Sequence, residues 1–155
     1  MATSIPKYKS HDEGVVGSRN LHQAGWLRLV VVGASLTLVA TAADVALATA
    51  FRAWLQVPAG FQPLTTPAVA SLTIMGMIAA TAVFAWTART QLDPIRSFAV
   101  IAAVGLCISW LPDLVIWATG AFHGTTGAGI VSLMTLHVVA AGCAVAILPR
   151  FGLRR

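Results

Sequence analysis

Three ionisable residues stand in stretches of sequence that are otherwise apolar: Asp44, Asp113 and His137. An ionisable group at membrane depth costs several kcal/mol and faces a bundle interior, a cavity or another such group. Two carboxylates and an imidazole can bind and pass protons, because histidine titrates near neutrality. A membrane-embedded aspartate can also hold a cationic solute. Hydroxyls stand close by. Thr41 lies one turn from Asp44, and Ser109 lies one turn before Asp113. Pro112 immediately precedes Asp113. A proline inside a helix removes one ladder hydrogen bond and kinks the helix, freeing a carbonyl near position 108. Trp110 and Trp117 flank this point and could wall a cavity. The trio contains donors that a divalent metal accepts, but no residues to orient them are visible, and no metal is assigned. Two axial histidines at matching depth are absent, which leaves no haem site. No nucleophile or metal motif marks a catalytic residue, and no cofactor is called for. The same groups also admit a purely structural use. Asp–His and Asp–hydroxyl hydrogen bonds can fix helix packing. Arg52, two turns above Asp44, can snorkel down to neutralise it.

The elements that carry these residues follow from composition. Apolar residues make up 57% of the 155-residue chain and charged residues only 10%. Mean hydropathy is +0.81. A soluble domain carries about 25% charged residues. So few charges exclude a soluble globular enzyme, a disordered chain and a conventional nucleic-acid-binding domain. The net charge of +5 does not point to nucleic acid, because no basic stripe interleaves with aromatics. The partner is instead the lipid bilayer.

Four stretches approach or exceed the ~20 residues needed to cross a bilayer core. They run over about 29–51, 68–87, 98–119 and 128–148. Lipid offers the backbone no hydrogen bonds, so they must be helices. The expected fold is all-α, a four-helix transmembrane bundle over residues 26–149. Residues 1–25 form a polar tail, and residues 150–155 form a basic C-terminus. The first span is expected to be retained rather than cleaved, being too long for a signal h-region. Thr66–Pro67 and Asp93–Pro94 predict capped starts to spans two and three. Pro149 is expected to follow the last span.

Of ten Lys and Arg residues, all but Arg52 fall in the tail and entry to span one, the connection between spans two and three, or the C-terminus. Those regions share one side. The positive-inside rule then predicts a plasma-membrane protein with both termini cytoplasmic. On that topology Asp44, Asp113 and His137 lie roughly 9–14 Å below the outer surface at 1.5 Å per residue. This shared depth in the outer half is the most informative feature of the chain.

The outer connection from Arg52 to Pro67 is expected to lie along the membrane interface with Trp54 as anchor. It could alternatively lid an outward-facing cavity. His123, in the second outer loop, reads as a solvated residue, as do His11 and His22 in the tail. Cys107 and Cys143 lie in apolar stretches and read as small hydrophobes. Small residues line single faces of the spans: Gly33, Thr37 and Thr41 on span one; Thr73, Gly76 and Ala80 on span two; Ala140, Ala141 and Ala144 on span four. Such faces permit close helix packing or a homo-oligomer.

Four short segments carry a resemblance. They are FQPL at Phe61–Leu64, DPIRSF at Asp93–Phe98, SWLPDL at Ser109–Leu114 and LHVVAA at Leu136–Ala141. In this order and spacing they resemble a family of small uncharacterised actinobacterial membrane proteins with four predicted helices. Some members carry the label "cell envelope biogenesis protein". The resemblance runs along residues 24–149 and implies fold and location, not an activity. That family often has a second proline where this chain has Asp113, whereas His137 falls within a shared segment.

Three functions stay open at this point. The first is proton-linked binding or transport of a small solute through Asp44, Asp113 and His137. The second is a small accessory or assembly subunit of a larger membrane complex, with the trio as packing. The third is a membrane enzyme acting on a lipid-like substrate.

Overall fold

A computed structural model describes the backbone of residues 12–152 and the side chains of residues 25–152. Lys7, Lys9, His11, Arg154 and Arg155 lie outside the described residues, as do the side chains of Arg19 and His22. Four helices make up the fold: α1 (Asp12–Trp54), α2 (Thr66–Thr90), α3 (Pro94–Thr119) and α4 (Gly127–Gly152). All four are long and apolar enough to span a membrane. The chain is an all-α, multi-pass membrane protein. The backbone of α1 is already helical at Asp12, ahead of its apolar stretch, which begins at Gly25.

Consecutive helices are antiparallel neighbours. α1 packs on α2 and α4, α3 leans on α2 and α4, and α1 and α3 stand diagonally opposite. The end where α1 begins and α4 finishes is called proximal here, and the opposite end distal. Arg28 Nε donates to the Phe151 carbonyl at 2.8 Å, which ties α1 to the last turn of α4. Arg89 lies 4.8 Å over the Trp26 ring, a cation–π contact of about 0.5–1 kcal/mol. Arg28, Arg89 and Arg150 thus share the proximal end, and Arg52 stands in the last turn of α1 at the distal end.

The helix ends follow local chemistry, with two departures from expectation. Asp93 caps α3 as expected, its carboxylate accepting from Arg96 N–H at 3.1 Å. Thr66 does not cap α2. Thr65 is the capping position, and its hydroxyl turns back to the Gln62 carbonyl at 2.8 Å. That bond belongs to a single 3₁₀ turn at Gln62–Leu64, which occupies the chain just before α2. Pro149 does not end α4; the helix continues to Gly152. Proline removes only one ladder bond, and the Arg28 contact holds the following turn. Gly120 closes α3 with φ 62, a left-handed position that costs glycine nothing.

Two apolar clusters fill the interior. The proximal one contains Leu36, Ala40, Met77, Phe84, Phe98 and Leu148. The distal one contains Ala48, Val57, Phe61, Leu64, Ile130 and Leu136. The side chains facing outward, such as Leu38, Val39, Val104 and Ile108, are large and apolar, as lipid contact requires. The distal connection is no loose loop. Phe61 is fully buried, and a Cβ on Gly129 would come within 2.9 Å of its ring. Val57 and Leu64 are buried beside it. Trp54, 82% exposed at the end of α1, faces outward as an interfacial anchor does.

Candidate functional site

A polar layer separates the two apolar clusters. On α1, Asp44 stands one turn from Ala40 and one turn from Ala48. On α2, Thr73 holds the same position between Val69 and Met77. The sequence places them at one level on antiparallel neighbours, and the structure joins them. Thr73 Oγ1 donates to Asp44 Oδ2 at 2.8 Å. Asp44 is 1% exposed, and its other oxygen, Oδ1, has no partner.

Asp113 and His137 meet on the other side of the layer. Asp113 Oδ2 and His137 Nδ1 are 3.2 Å apart, linking α3 to α4. The contact lies in ion-pair range but is not aligned as a hydrogen bond, so both atoms keep bonding capacity. Asp113 is buried, whereas the His137 side chain is 34% exposed.

All three ionisable residues line one cavity of about 570 Å³, walled mainly by α2, α3 and α4 and reached from α1 by Asp44. Its size falls in the ~300–1,000 Å³ range of small-molecule sites. Ser109 and Thr73 are its other polar wall residues. The remaining wall is aliphatic, alanine and glycine, running from Pro63 at the distal end to Phe98 at the proximal end. Among the described residues, no three His, Cys, Asp or Glu side chains group as metal ligands.

Several expected contacts are replaced by others. Arg52 forms no ion pair with Asp44; among the described residues the single such contact is His137–Asp113. Thr41 does not bond Asp44, and its buried hydroxyl has no partner. Ser109 reaches the cavity, but its hydroxyl donates to the Leu106 carbonyl of its own helix at 2.7 Å. Trp110 and Trp117 do not line the cavity; Trp117 is exposed. Pro112 does lie within α3 and on the cavity wall, next to Asp113. Cys107 and Cys143 are free thiols.

Thr73 is the polar residue that inspection of the ionisable groups alone misses. Its depth in α2 was the available signal. It lies seven residues past Thr66, about 10 Å into the helix at 1.5 Å per residue, near the level of Asp44. Gly105 is the second omission, and Gly76 is placed by the sequence on a packing face rather than a cavity wall, because a glycine on a helix says nothing by itself of what it faces.

Residues 22–154 match a family of unknown function, DUF6069. The chain belongs to that family. No curated protein and no solved structure matches the chain. The match takes in all four membrane-spanning stretches and both halves of the polar layer.

Proposed function

We propose that this DUF6069 member exchanges a proton for a small organic cation at Asp44, with Asp113 and His137 coupling the two. The cell membrane is its location, and both termini are cytoplasmic. The charge distribution supports that orientation, since nine of ten Lys and Arg residues would lie on the cytoplasmic side. The distal half then faces outward.

One observation carries this reading: Asp44 is fully buried, lines a cavity and keeps one carboxyl oxygen without a partner. A packing aspartate would have both oxygens satisfied, because an unpaired buried polar atom costs about 1–3 kcal/mol. Thr73 fixes the carboxyl through Oδ2 and leaves Oδ1 free. When the cavity is empty, a proton occupies that carboxyl. An arriving ammonium pairs with the carboxylate and displaces the proton, which conserves charge. His137, partly exposed and touching Asp113, passes the displaced proton on to water.

Butylammonium is a suitable probe, added to purified protein in weak buffer with a pH-indicator dye. Wild-type protein should release protons in proportion to amine bound. Asp44→Asn should release none while melting as a folded protein. Release of equal size from Asp44→Asn would end this reading.

A second reading, an accessory subunit of a larger assembly, is favoured by α3. Of the described residues, this helix buries only Phe98 and Asp113. A partner chain or a second copy would cover the rest of it. Gentle solubilisation and the stoichiometry of whatever accompanies the protein test this. A stoichiometric partner seated on α3 supports the subunit reading, and a bare monomer removes it.

A further inference from the structure

The cavity is longer than its polar layer. Asp44, Thr73, Asp113 and His137 sit towards its distal end, and below them the wall is apolar down to Phe98. Phe98 packs edge-on against buried Phe84 with centroids 5.1 Å apart, closing the floor. From Asp113 to Phe98 the α3 wall spans fifteen residues, ~22 Å at 1.5 Å per residue.

Two glycines widen this apolar part. Gly76 on α2 and Gly105 on α3 both line it, and a Cβ on either would meet nothing within 4 Å. Of the other helical glycines, Gly25, Gly127 and Gly142 also stand in open space but line no part of this cavity, and three are packing glycines. Gly33 lies against Thr81, Gly129 against Phe61 and Gly152 against Phe84. Glycine inside a helix costs about 1 kcal/mol relative to alanine. Gly76 and Gly105 return no packing for that cost. What they provide is space, and both are exposed, so the space opens sideways between α2 and α3. At the distal end Pro63 stands on the wall, and the buried Val57, Phe61 and Leu64 pack in the distal cluster. Access therefore runs from the bilayer rather than from water.

We infer that the cavity takes a single-chain amphiphile with a cationic amine head, which enters laterally between α2 and α3. This rests on the proposed exchange at Asp44 and names the ligand class. The head pairs with Asp44 Oδ1, which has no partner within the chain. Asp113 Oδ2 stands 3.2 Å from His137 Nδ1, a neighbour that Asp44 Oδ1 lacks. An anionic head would meet two carboxylates against one imidazole. The chain runs towards the Phe98 floor along the Gly76 and Gly105 walls. Lipid chains are as apolar as this wall, so the hydrophobic effect gives no preference for the cavity over the bilayer. The charged head supplies the selectivity, and the cavity supplies room for the chain.

The test uses dodecylammonium carrying a diazirine at the chain terminus, with wild-type protein in nanodiscs. Photolabelled peptides are mapped by mass spectrometry. Label is expected on the proximal cavity wall, around Val83, Ile101 and Ala144. It should exceed that on Leu38 and Val39, which face lipid on α1. Gly76→Leu with Gly105→Leu should lower the cavity label at least tenfold. Asp44→Asn should lower the cavity label to the level of Leu38 and Val39. If label on the cavity wall never exceeds that on α1, or survives Asp44→Asn, the amphiphile assignment fails. If butylammonium still displaces protons in that case, exchange at Asp44 stands alone. If neither amine displaces a proton from wild-type protein, both are wrong.

Discussion

Asp44 and Thr73 show how much depends on one hydroxyl. Thr73→Val keeps the shape of the side chain but strips the only donor from Asp44 Oδ2. The carboxyl would then have both oxygens unpaired, a cost of about 1–3 kcal/mol. Thermal unfolding in detergent should show a clear drop for Thr73→Val. In the Asp44→Asn background the same change should cost less, because donor and acceptor act as a pair. A double-mutant cycle should return a coupling near the ~0.6–1.7 kcal/mol measured for hydrogen bonds between membrane helices. Equal losses in both backgrounds would show that the two side chains are uncoupled. The ionisable trio was legible from sequence because charge inside an apolar run is conspicuous. Its pairing was not. Depth places residues on a level, but only rotation about each helix axis decides which of them meet. Asp113 met His137, while Asp44 met a threonine instead of Thr41 or Arg52.

Helix positions separate packing glycines from cavity glycines, and the two should respond in opposite ways to a larger side chain. At Gly33 an added Cβ would come within 2.5 Å of a Thr81 methyl carbon. Gly33→Leu should push α1 from α2 and cost about 1–3 kcal/mol, as overpacking does. Gly105→Leu has open space and a better helix former, so its melting temperature should match or exceed the wild-type value. A large loss at Gly105 would show that the space is filled in the folded protein. Span number and approximate limits could be read from apolar run length alone. Ends could not, because they rest on local bonds. Thr65 bonded the preceding turn rather than its own helix, and Arg28 held the turn after Pro149.

For the molecule as a whole, the basic residues set one end apart from the other. Single cysteines in a background lacking Cys107 and Cys143 test orientation. A cysteine at exposed His123 should react with an impermeant maleimide added to intact cells. One at exposed Leu92, in the connection between α2 and α3, should react only after lysis. The reverse pattern would invert the topology and place the polar layer nearer the cytoplasm. Composition and charge made membrane class and fold readable. They left the cavity hidden, since a void is defined by what four helices fail to fill and not by any residue. Exchange at Asp44 is tested most directly by infrared difference spectroscopy on adding butylammonium. A protonated-carboxyl band should disappear in wild-type protein and in Asp93→Asn, and no such change should occur in Asp44→Asn. A spectrum without that band in wild-type protein, or with it unchanged in Asp44→Asn, would contradict proton exchange at this residue.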